Sequence, residues 1–393
     1  MIRAGAGYST AINPRSAALE ATAAALKQAG LRTADCALVF AGTAYGGAYP
    51  LIVRSVAEAA GTREIAGCGC IGAIAGGREF ESGPSLAVLV LGGGTITGTR
   101  LFVPQLRGRP REAAEELVAA VRPHLGANNL LCLFPDTYNL DPEPLIAVLA
   151  RELPGVTVVG GGATEDGSIG ETFQFCGDVV SSNAVAGMLL AGDFTLNLGA
   201  ANACAPLGPT HRVTAVRDNI ILELDGRRAW DVFAEAAGQL AGDLPRALSF
   251  VFVGIPLTAG AERIERGKFY VRNITGASPE HGAIAIAHRP RIGSTIGFVL
   301  RDGERSRDEL KATLGAMAAR VARPPAFGFY FDCVSRGQGL YGMPDHDSAY
   351  IGQHFGQLPV AGFFTGFELG PLGDRTALLQ YSGVLALVSD PPD

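Results

Sequence analysis

The chain has 393 residues, of which 48% are hydrophobic and 18% are charged, and its formal net charge is -6. This composition can fill a large core and argues against disorder. The basic residues are scattered rather than gathered in a stripe, which argues against a nucleic-acid partner. A chain of this length predicts two domains or one elaborated α/β body.

The cysteines and the apolar segments predict the cellular compartment in which the protein is found. Seven cysteines lie mostly inside apolar stretches, which is typical of buried thiols in a reducing cytosol rather than of a disulfide framework. The first residues lack the apolar core of a secretion signal. The longest apolar stretches contain Pro or Gly and are shorter than the ~20 residues that a membrane-spanning helix needs. We therefore expect a cytoplasmic protein with no membrane partner.

The first clear element is a helix that Asn13 caps and Pro14 begins, and that ends at Gly30. The next predicted elements follow in chain order: strand 36–40, helix 50–60, strand 63–67, strand 85–91, strand 98–106 and helix 109–125. A glycine-rich connection separates the strand that ends at residue 67 from the strand that begins at residue 85. Strands that alternate with helices in this way favour sheets with helices packed outside.

A second helix start lies at Asp141, a capping residue followed by Pro142. The later elements are predicted as strands 156–159, 171–176 and 184–190, a β-rich stretch to residue 226, helix 227–242, strands 249–253, 268–274, 283–287 and 295–300, and helix 306–322. The helix after residue 226 predicts a boundary between a domain 1–226 and a domain 227–393. The hairpins between helices predict an α/β fold with mixed β-sheets flanked by helices.

One pattern recurs three times, at residues 38–72, 131–167 and 329–370: an apolar strand, a polar loop, a helix and a strand that ends on glycine. Each first strand contains a phenylalanine roughly thirty residues before that glycine. Any strand-helix-strand unit has about this length, so the spacing alone leaves chance open. The similar loops and following hairpins favour repeated strand-helix-strand-hairpin units, whose loop ends would meet and form the site.

Two short motifs resemble cofactor-binding or metal-binding patterns, but the residues around them do not fit such a site. The segment Gly67-Cys-Gly-Cys-Ile-Gly72 matches a dinucleotide-binding pattern, but glycines and Pro84 break the helix that should follow it. Cys68-x-Cys70 is not a zinc-site spacing, and the histidines show no paired-ligand pattern. We therefore predict no metal and no cofactor.

The loop ends of the three copies carry different functional groups. The residues two positions after the strand phenylalanines Phe40, Phe134 and Phe331 are Gly42, Asp136 and Cys333. Those five positions after the same phenylalanines are Tyr45, Asn139 and Arg336. Those six positions after the strand-ending glycines Gly67, Gly160 and Gly362 are Ala73, Asp166 and Glu368. The glycines are kept while the functional groups change. This is typical of a fixed scaffold whose loops have been specialised for a ligand.

The third copy has the richest chemistry. Arg336 offers a planar fork for a carboxylate or a phosphate, and Glu368 offers a partner for an amine. Equally, the two side chains are candidates for a structural ion pair that joins two loops. Cys333 is a candidate nucleophile, although a buried structural thiol is the simpler interpretation.

These segments bear a resemblance to a known family. FYFDCVSRGQGLYG and LPVAGFFTGFELGPL resemble the C-terminal domain of the FIST family (F-box and intracellular signal transduction). IAGCGCIGAIAGGREF, VVGGGATEDGSIGETFQF and the segment around ELDG are similar to the FIST N-terminal domain. The resemblance implies a small-ligand-sensing module of intracellular signalling, with amino acids or their derivatives as proposed ligands. For some bacterial members it implies an association with haem and nitric oxide.

We therefore expect a non-catalytic protein that binds a small polar metabolite between its two halves. No F-box precedes the FIST-like region and no kinase, cyclase or receiver follows it, so signal output is expected through a separate signalling protein. The alternatives are a haem-based nitric oxide sensor and an enzyme that uses Cys333 as its nucleophile. The predicted ligand-binding residues are Cys333, Arg336, Gly337, Gly362, Glu368, Asp136, Asn139, Tyr45, Gly69 and Gly161.

Overall fold

A computed structural model describes residues 1–391. The chain forms two compact units. Of the described residues, unit 1 contains Met1–Ala200, Leu310–Leu378 and 382–391, and unit 2 contains Ala201–Glu309 and Leu379–Tyr381. Unit 2 is therefore an insertion in the chain of unit 1. The predicted domain boundary at residue 226 falls inside unit 2 and remains a prediction.

The first part of unit 1 begins with a strand and the predicted capped helix. Its elements are β1 (Arg3–Ser9), α1 (Pro14–Ala29), β2 (Cys36–Gly42), α2 (Tyr49–Ala60), β3 (Ile65–Cys70), β4 (Ala73–Ala75), β5 (Arg78–Phe80) and β6 (Leu86–Gly92). The side chain of Asn13 accepts a hydrogen bond from the Ser16 N–H at 3.0 Å, and Gly30 ends α1 in the left-handed conformation. Both predicted ends of this helix are confirmed.

The second part of unit 1 has the same kinds of elements in the same order. They are β7 (Ile96–Pro104), α3 (Pro110–Val121), β8 (Asn128–Pro135), α4 (Pro142–Glu152), β9 (Thr157–Gly161), β10 (Gln174–Cys176), β11 (Val179–Ser181) and β12 (Ala184–Gly192). The side chain of Asp141 accepts a hydrogen bond from the Glu143 N–H, which confirms the predicted start of α4.

Unit 2 is a β-rich body built on one sheet. Its elements, entered through β13 (Thr195–Asn202), are β14 (Cys204–Arg217), β15 (Ile220–Leu224), β16 (Arg227–Arg228), α5 (Ala229–Ala237), α6 (Leu244–Phe250), β17 (Val251–Pro256), β18 (Phe269–Arg272), β19 (Ile274–Ser278), β20 (Ala283–Ile286) and β21 (Thr295–Arg301). Its strand order is β18-β17-β21-β14-β15-β20-β19, with β16 paired to β15. The core includes Phe233, Val253 and Phe298.

The chain returns to unit 1 along α7 (Gly303–Arg320). The remaining elements are β22 (Phe327–Cys333), α8 (Gln338–Tyr341), α9 (His346–Phe355), β23 (Val360–Thr365), β24 (Glu368–Leu372), β25 (Arg375–Leu379) and β26 (Ser382–Ser389). The residues of β22 and β23 are all buried, as expected for parallel strands that are covered on both faces.

Unit 1 contains three six-stranded sheets with one topology. Their orders are β1-β6-β2-β3-β10-β11, β7-β12-β8-β9-β24-β25 and β13-β26-β22-β23-β4-β5. In each sheet the two central strands are parallel, and both are flanked by antiparallel neighbours. The predicted α/β class with mixed sheets and flanking helices is confirmed. Whether the three parts descend from one duplicated unit stays a prediction.

Each hairpin pairs with a strand of a different part of the chain. Hairpin β4–β5 follows β3 but pairs with β23, hairpin β10–β11 follows β9 but pairs with β3, and hairpin β24–β25 follows β23 but pairs with β9. The exchange is cyclic, so each sheet of unit 1 is completed by a segment from another part.

The three parallel strand pairs meet at an aromatic centre. The ring centroids of Phe40, Phe134 and Phe331 lie 5.3, 6.2 and 6.5 Å apart in their three pairs. In each pair of parallel strands, a glycine of the second strand lies very close to the backbone of the first strand. A Cβ at Gly67, Gly160 or Gly362 would lie 1.8, 2.0 or 1.6 Å from the carbonyl oxygen of the adjacent strand. Only glycine permits this approach.

Candidate functional site

The turn after β22 buries a cation. The side chain of Arg336 is fully buried, and its Nε lies 2.7 Å from Asp332 Oδ1 while its Nη2 lies 2.6 Å from Asp347 Oδ2. The turn closes because the Arg336 N–H donates to the Cys333 carbonyl at 2.8 Å. Gly337, with a φ of +63°, then redirects the chain into α8.

Asp347 is the hub of the polar contacts around this cation. The Tyr330 hydroxyl donates to Asp347 Oδ2 at 2.6 Å, and His346 Nδ1 lies 2.8 Å from Asp347 Oδ1. The His346 ring stacks on Tyr341 with centroids 3.7 Å apart. The aromatic rings and α8 therefore cover the ion pairs from one side.

The two aspartates that contact Arg336 differ in protonation. Burial raises the pKa of Asp332 well above its usual range, and the nearby Asp347 adds to this. Burial also acts on Asp347, but the Arg336 guanidinium outweighs it and lowers that pKa to about 2. The Arg336 guanidinium also lowers the pKa of Asp332, but there burial outweighs it. The Oδ2 atom of Asp332 is buried with no hydrogen-bond partner in the described chain.

Two more carboxyl groups reach this cluster from the exchanged hairpin β4–β5. Glu79 Oε1 accepts a hydrogen bond from the Ser348 N–H at 2.6 Å, and Glu81 Oε1 accepts one from the Gln338 N–H at 2.7 Å. These carboxyl groups hold the first turns of α9 and α8. Burial, with a smaller contribution from Asp347, raises the pKa of Glu79 to about 8. Its second oxygen, Oε2, is buried with no partner among the described residues.

Glu368 is fully buried at the start of β24. Its Oε1 lies 2.7 Å from Thr365 Oγ1, its Oε2 lies 2.5 Å from Ser382 Oγ, and the Cys333 thiol also hydrogen-bonds to it. Burial raises its pKa to about 7, although these hydrogen bonds act in the opposite direction. This carboxyl therefore exchanges its proton near neutral pH.

Several of the predicted residues lie together. Glu368 is directly opposite Gly161 in the β24–β9 ladder, and a Cβ at Gly161 would lie 2.5 Å from Thr365 Cγ2. Cys333 hydrogen-bonds to Glu368, and a Cβ at Gly337 would lie 2.6 Å from the Glu81 carboxylate. Arg336 joins this group through Asp332, whose pKa the charge of Glu368 helps to raise. The ion pairs described for Arg336 are with Asp332 and Asp347.

The other predicted residues make contacts of their own. The Tyr45 hydroxyl donates to the Ala11 carbonyl at 2.7 Å. Asn139 Oδ1 accepts from Arg107 Nε at 2.7 Å. Asp136 accepts three backbone hydrogen bonds, from the N–H groups of residues 138, 139 and 183. A Cβ at Gly69 would lie 3.0 Å from the Tyr49 hydroxyl oxygen. These contacts fix loops, and a ligand role for these residues stays a prediction.

One position assigned by counting along the sequence is wrong. Counting placed Asp166 at the position of Ala73 and Glu368, but Asp166 is in an exposed loop. The ladders place Gln174 there: Gln174 faces Cys68, Ala73 faces Phe363 and Glu368 faces Gly161, in each case the residue after the strand glycine. The second copy has a longer loop before its hairpin, which shifts the count. Gln174 is fully buried, and its Oε1 has no hydrogen-bond partner in the described chain.

Three carboxyl groups of the cluster were missed from the sequence: Asp332, Asp347 and Glu79. Asp332 carried a signal, since it is a charged residue inside the apolar run FYFDC. Glu79 carried none, because it lies more than two hundred residues away from the turn that it contacts. Only the pairing of β4 with β23 brings it there.

The cluster has more carboxyl groups than cations, and this decides its chemistry. Asp332, Asp347, Glu79 and Glu368 are at least nine-tenths buried, and the described guanidinium among them is that of Arg336. A buried surplus of carboxyl groups suits a cation, because an opposite charge nearby favours the ionised form of a carboxyl group.

Residues 1–391 contain no group of three or more His, Cys, Asp or Glu side chains that is arranged to hold a metal ion. Within the same range, no helix combines the length and apolar character needed to cross a membrane. All seven cysteines are buried.

The fold and the buried cluster define a two-unit α/β protein with a polar interior site. The family model of the FIST N domain matches residues 35–227, and that of the FIST C domain matches residues 229–371. The chain therefore belongs to the FIST family, as the sequence motifs predicted.

The chain is also similar to whole proteins of mycobacteria. It is 30% identical over 391 residues to "Uncharacterized protein Rv0628c" of Mycobacterium tuberculosis (strain ATCC 25618 / H37Rv), covering 99% of this chain and 100% of that protein. It is 28% identical over 391 residues to "Uncharacterized protein Mb0898c" of Mycobacterium bovis (strain ATCC BAA-935 / AF2122/97), covering 99% of both. Among solved structures, cyanuric acid hydrolase from A. caulinodans aligns with a TM-score of 0.27 at 10% identity, over 49% of this chain and 70% of that chain. That likeness carries no argument about function.

Proposed function

We propose that this protein is a non-catalytic, small-molecule-sensing protein of intracellular signalling. It binds a polar metabolite at the buried cluster of carboxyl groups around Arg336. The ligand carries a cationic group, such as the ammonium of an amino acid or a polyamine. Family membership supports the sensing role. The buried carboxyl surplus supports the charge of the ligand.

The observation that carries the proposal is the pair of unpartnered carboxyl oxygens, Asp332 Oδ2 and Glu79 Oε2. A buried polar atom without a partner costs about 1–3 kcal/mol. A ligand ammonium would satisfy such an atom and replace a bound proton. Binding would therefore release a proton from Asp332 or Glu79.

Access requires the cap over the cluster to open. The cap is the segment from Gly337 to Asp345, which includes α8. Gly337, Gly342 and Asp345 have positive φ angles, so the chain turns sharply at both ends and in the middle of this segment. The described contacts that hold the cap include the Arg78–Asp345 ion pair, the hydrogen bond from the Glu79 N–H to Asp345 Oδ1 and the Gln338–Glu81 hydrogen bond. Met343 on the cap is exposed.

The test is a thermal-shift screen of the full chain with lysine, ornithine and putrescine, with glutarate as an anionic comparison. A cationic ligand at ~100 times its Kd adds roughly 2.7 kcal/mol to the free energy of unfolding. Calorimetry in buffers of different ionisation enthalpy then measures the released proton.

The informative variant is Asp332→Asn. Because burial raises the pKa of Asp332 well above its usual range, the neutral amide is a close substitute for this carboxyl in the empty site, yet it cannot ionise against a cation. We expect the variant to fold normally and to lose the thermal shift. Glu115→Gln, an exposed acid on α3, is the matched control. Stabilisation by glutarate alone, or an unchanged response of Asp332→Asn, would count against the proposal.

A further inference from the structure

Three clefts occupy equivalent places in unit 1. Each lies between three residues on one face of a helix, at positions i, i+3 and i+4, and the tip of an exchanged hairpin. They are formed by Arg54, Ala57 and Glu58 of α2 with Asp178, by Ile146, Leu149 and Ala150 of α4 with Asp374, and by Ser348, Ile351 and Gly352 of α9 with Gly77. The common topology of the three sheets produces this equivalence.

The α4 cleft differs most clearly from the α2 cleft in its lining. It encloses about 460 Å³, and much of its lining is aliphatic. Ile146, Val156 and Leu198 are half-buried, and Leu149, Leu153 and Val158 lie deeper, in the core. The α2 cleft presents Arg54, Glu58, Arg63 and Asp178 at its walls instead. On α9, Ser348 and Gly352 stand at positions i and i+4 and Ile351 stands at position i+3, while Ile74, Leu358 and Val360 also line that cleft.

This internal comparison separates what the scaffold needs from what one site has acquired. The scaffold forms the same cleft with charged walls beside α2, so folding alone does not require aliphatic walls beside α4. A water-accessible aliphatic cleft is unfavourable unless something covers it. A volume of 460 Å³ lies within the range of about 300–1,000 Å³ that is typical of small-molecule sites.

We infer that the α4 cleft is a second binding site, whose ligand is a small uncharged molecule with an apolar, aromatic or hydrocarbon body. Asp374 and Arg375 of the hairpin tip line the cleft together with the threonines Thr157 and Thr376. The polar groups of such a ligand are expected on that side. None of the residues of the buried carboxyl cluster lines this cleft, so the inference stands or falls independently of the proposed sensing function.

The test is a fluorescence titration of the full chain with N-phenyl-1-naphthylamine, a neutral aromatic probe whose emission rises in apolar surroundings. We expect saturable binding of one probe per chain. Ala150→Trp fills the cleft from an exposed position on α4, and we expect the apparent Kd to rise at least tenfold. Glu58→Trp makes the same change at the equivalent place on α2, where Glu58 has only a surface ion pair with Arg15 at 3.7 Å, and we expect no effect.

A second variant guards against misfolding by a bulky residue. Ile146→Arg introduces the residue type that stands at the equivalent position of α2, Arg54, which the same topology already accommodates. It should also abolish probe binding, with an unchanged circular dichroism spectrum. The inference is overturned if probe binding does not saturate, if Ala150→Trp and Glu58→Trp weaken it equally, or if Ile146→Arg leaves it intact. It is also overturned if the α4 variants change the oligomeric state without changing probe binding, because the cleft would then be an interface.

Discussion

At the scale of single residues, Glu368 makes the stability of the protein depend on pH. Burial disfavours its charge and raises its pKa in the folded protein from an ordinary value of 4.5 to about 7. As pH rises from about 5 to 7, the unfolded chain loses this proton while the folded protein keeps it. Stability is therefore highest at low pH and falls across this window, by on the order of 3 kcal/mol for this group.

Glu368→Gln should remove this dependence. The amide keeps the shape of the carboxyl but does not ionise, so the variant should gain stability relative to the wild type as pH rises from 5 to 8. Urea unfolding at several pH values measures the difference. Glu79, whose pKa is raised to about 8, should leave a residual decline in both proteins. Glu115→Gln, on the surface, should leave the profile unchanged, and a Glu368→Gln profile parallel to the wild type would contradict the argument.

Arg336 and Asp347 should be strongly coupled. Arg336→Gln leaves the Asp347 carboxylate buried and unpaired, so we expect a loss of about 3–5 kcal/mol in the free energy of unfolding. Adding Asp347→Asn removes the stranded charge and should recover part of that loss. A double-mutant cycle should give a coupling of about 0.5–3 kcal/mol. Additive effects of the two substitutions would show that the 2.6 Å ion pair does not stabilise the fold.

These residues also show how far the sequence could predict the site. Cys333 and Glu368 were expected together from their places after a strand, and they share a hydrogen bond. The position of Asp166 was wrong because counting cannot allow for a longer loop. Glu79 could not be predicted as part of the site, because its contact with the Ser348 N–H depends on strand pairing between distant segments.

At the scale of elements, glycines set the distance between the parallel strands. Gly362→Ala would place a Cβ 1.6 Å from the Tyr330 carbonyl oxygen, so β22 and β23 would have to separate. We expect a loss of at least about 1–3 kcal/mol in the free energy of unfolding, the usual cost of overpacking. The control is Gly315→Ala on α7, where nothing lies within 4 Å of the new Cβ. That substitution should stabilise the protein by roughly 0.5–1 kcal/mol. If both variants melt alike, close strand approach does not explain these glycines.

At the scale of the molecule, the cyclic exchange of hairpins is the feature that the sequence least revealed. Apolar strands, capped helices and strand-ending glycines are local signals, and they predicted many of the elements and the fold class, although β1 and β26 were missed. The glycine-rich connection after Gly72 was expected only to link two strands, yet it forms β4 and β5 in another sheet. Short strands pair according to the edges available in the folded molecule, and such pairing has no local signature.

The exchange predicts that the three sheets of unit 1 unfold together. Each sheet holds a hairpin from another part, so opening one of them breaks the ladders β4–β23, β10–β3 or β24–β9. Native-state hydrogen exchange should therefore give amides in β3, β9 and β23 similar opening free energies, within about 1 kcal/mol. Gly160→Ala, which disturbs only the β8–β9 crossing, should lower protection in all three sheets by the same amount. Loss of protection confined to β8 and β9 would mean that the sheets unfold independently, because sheets that unfold cooperatively lose protection together.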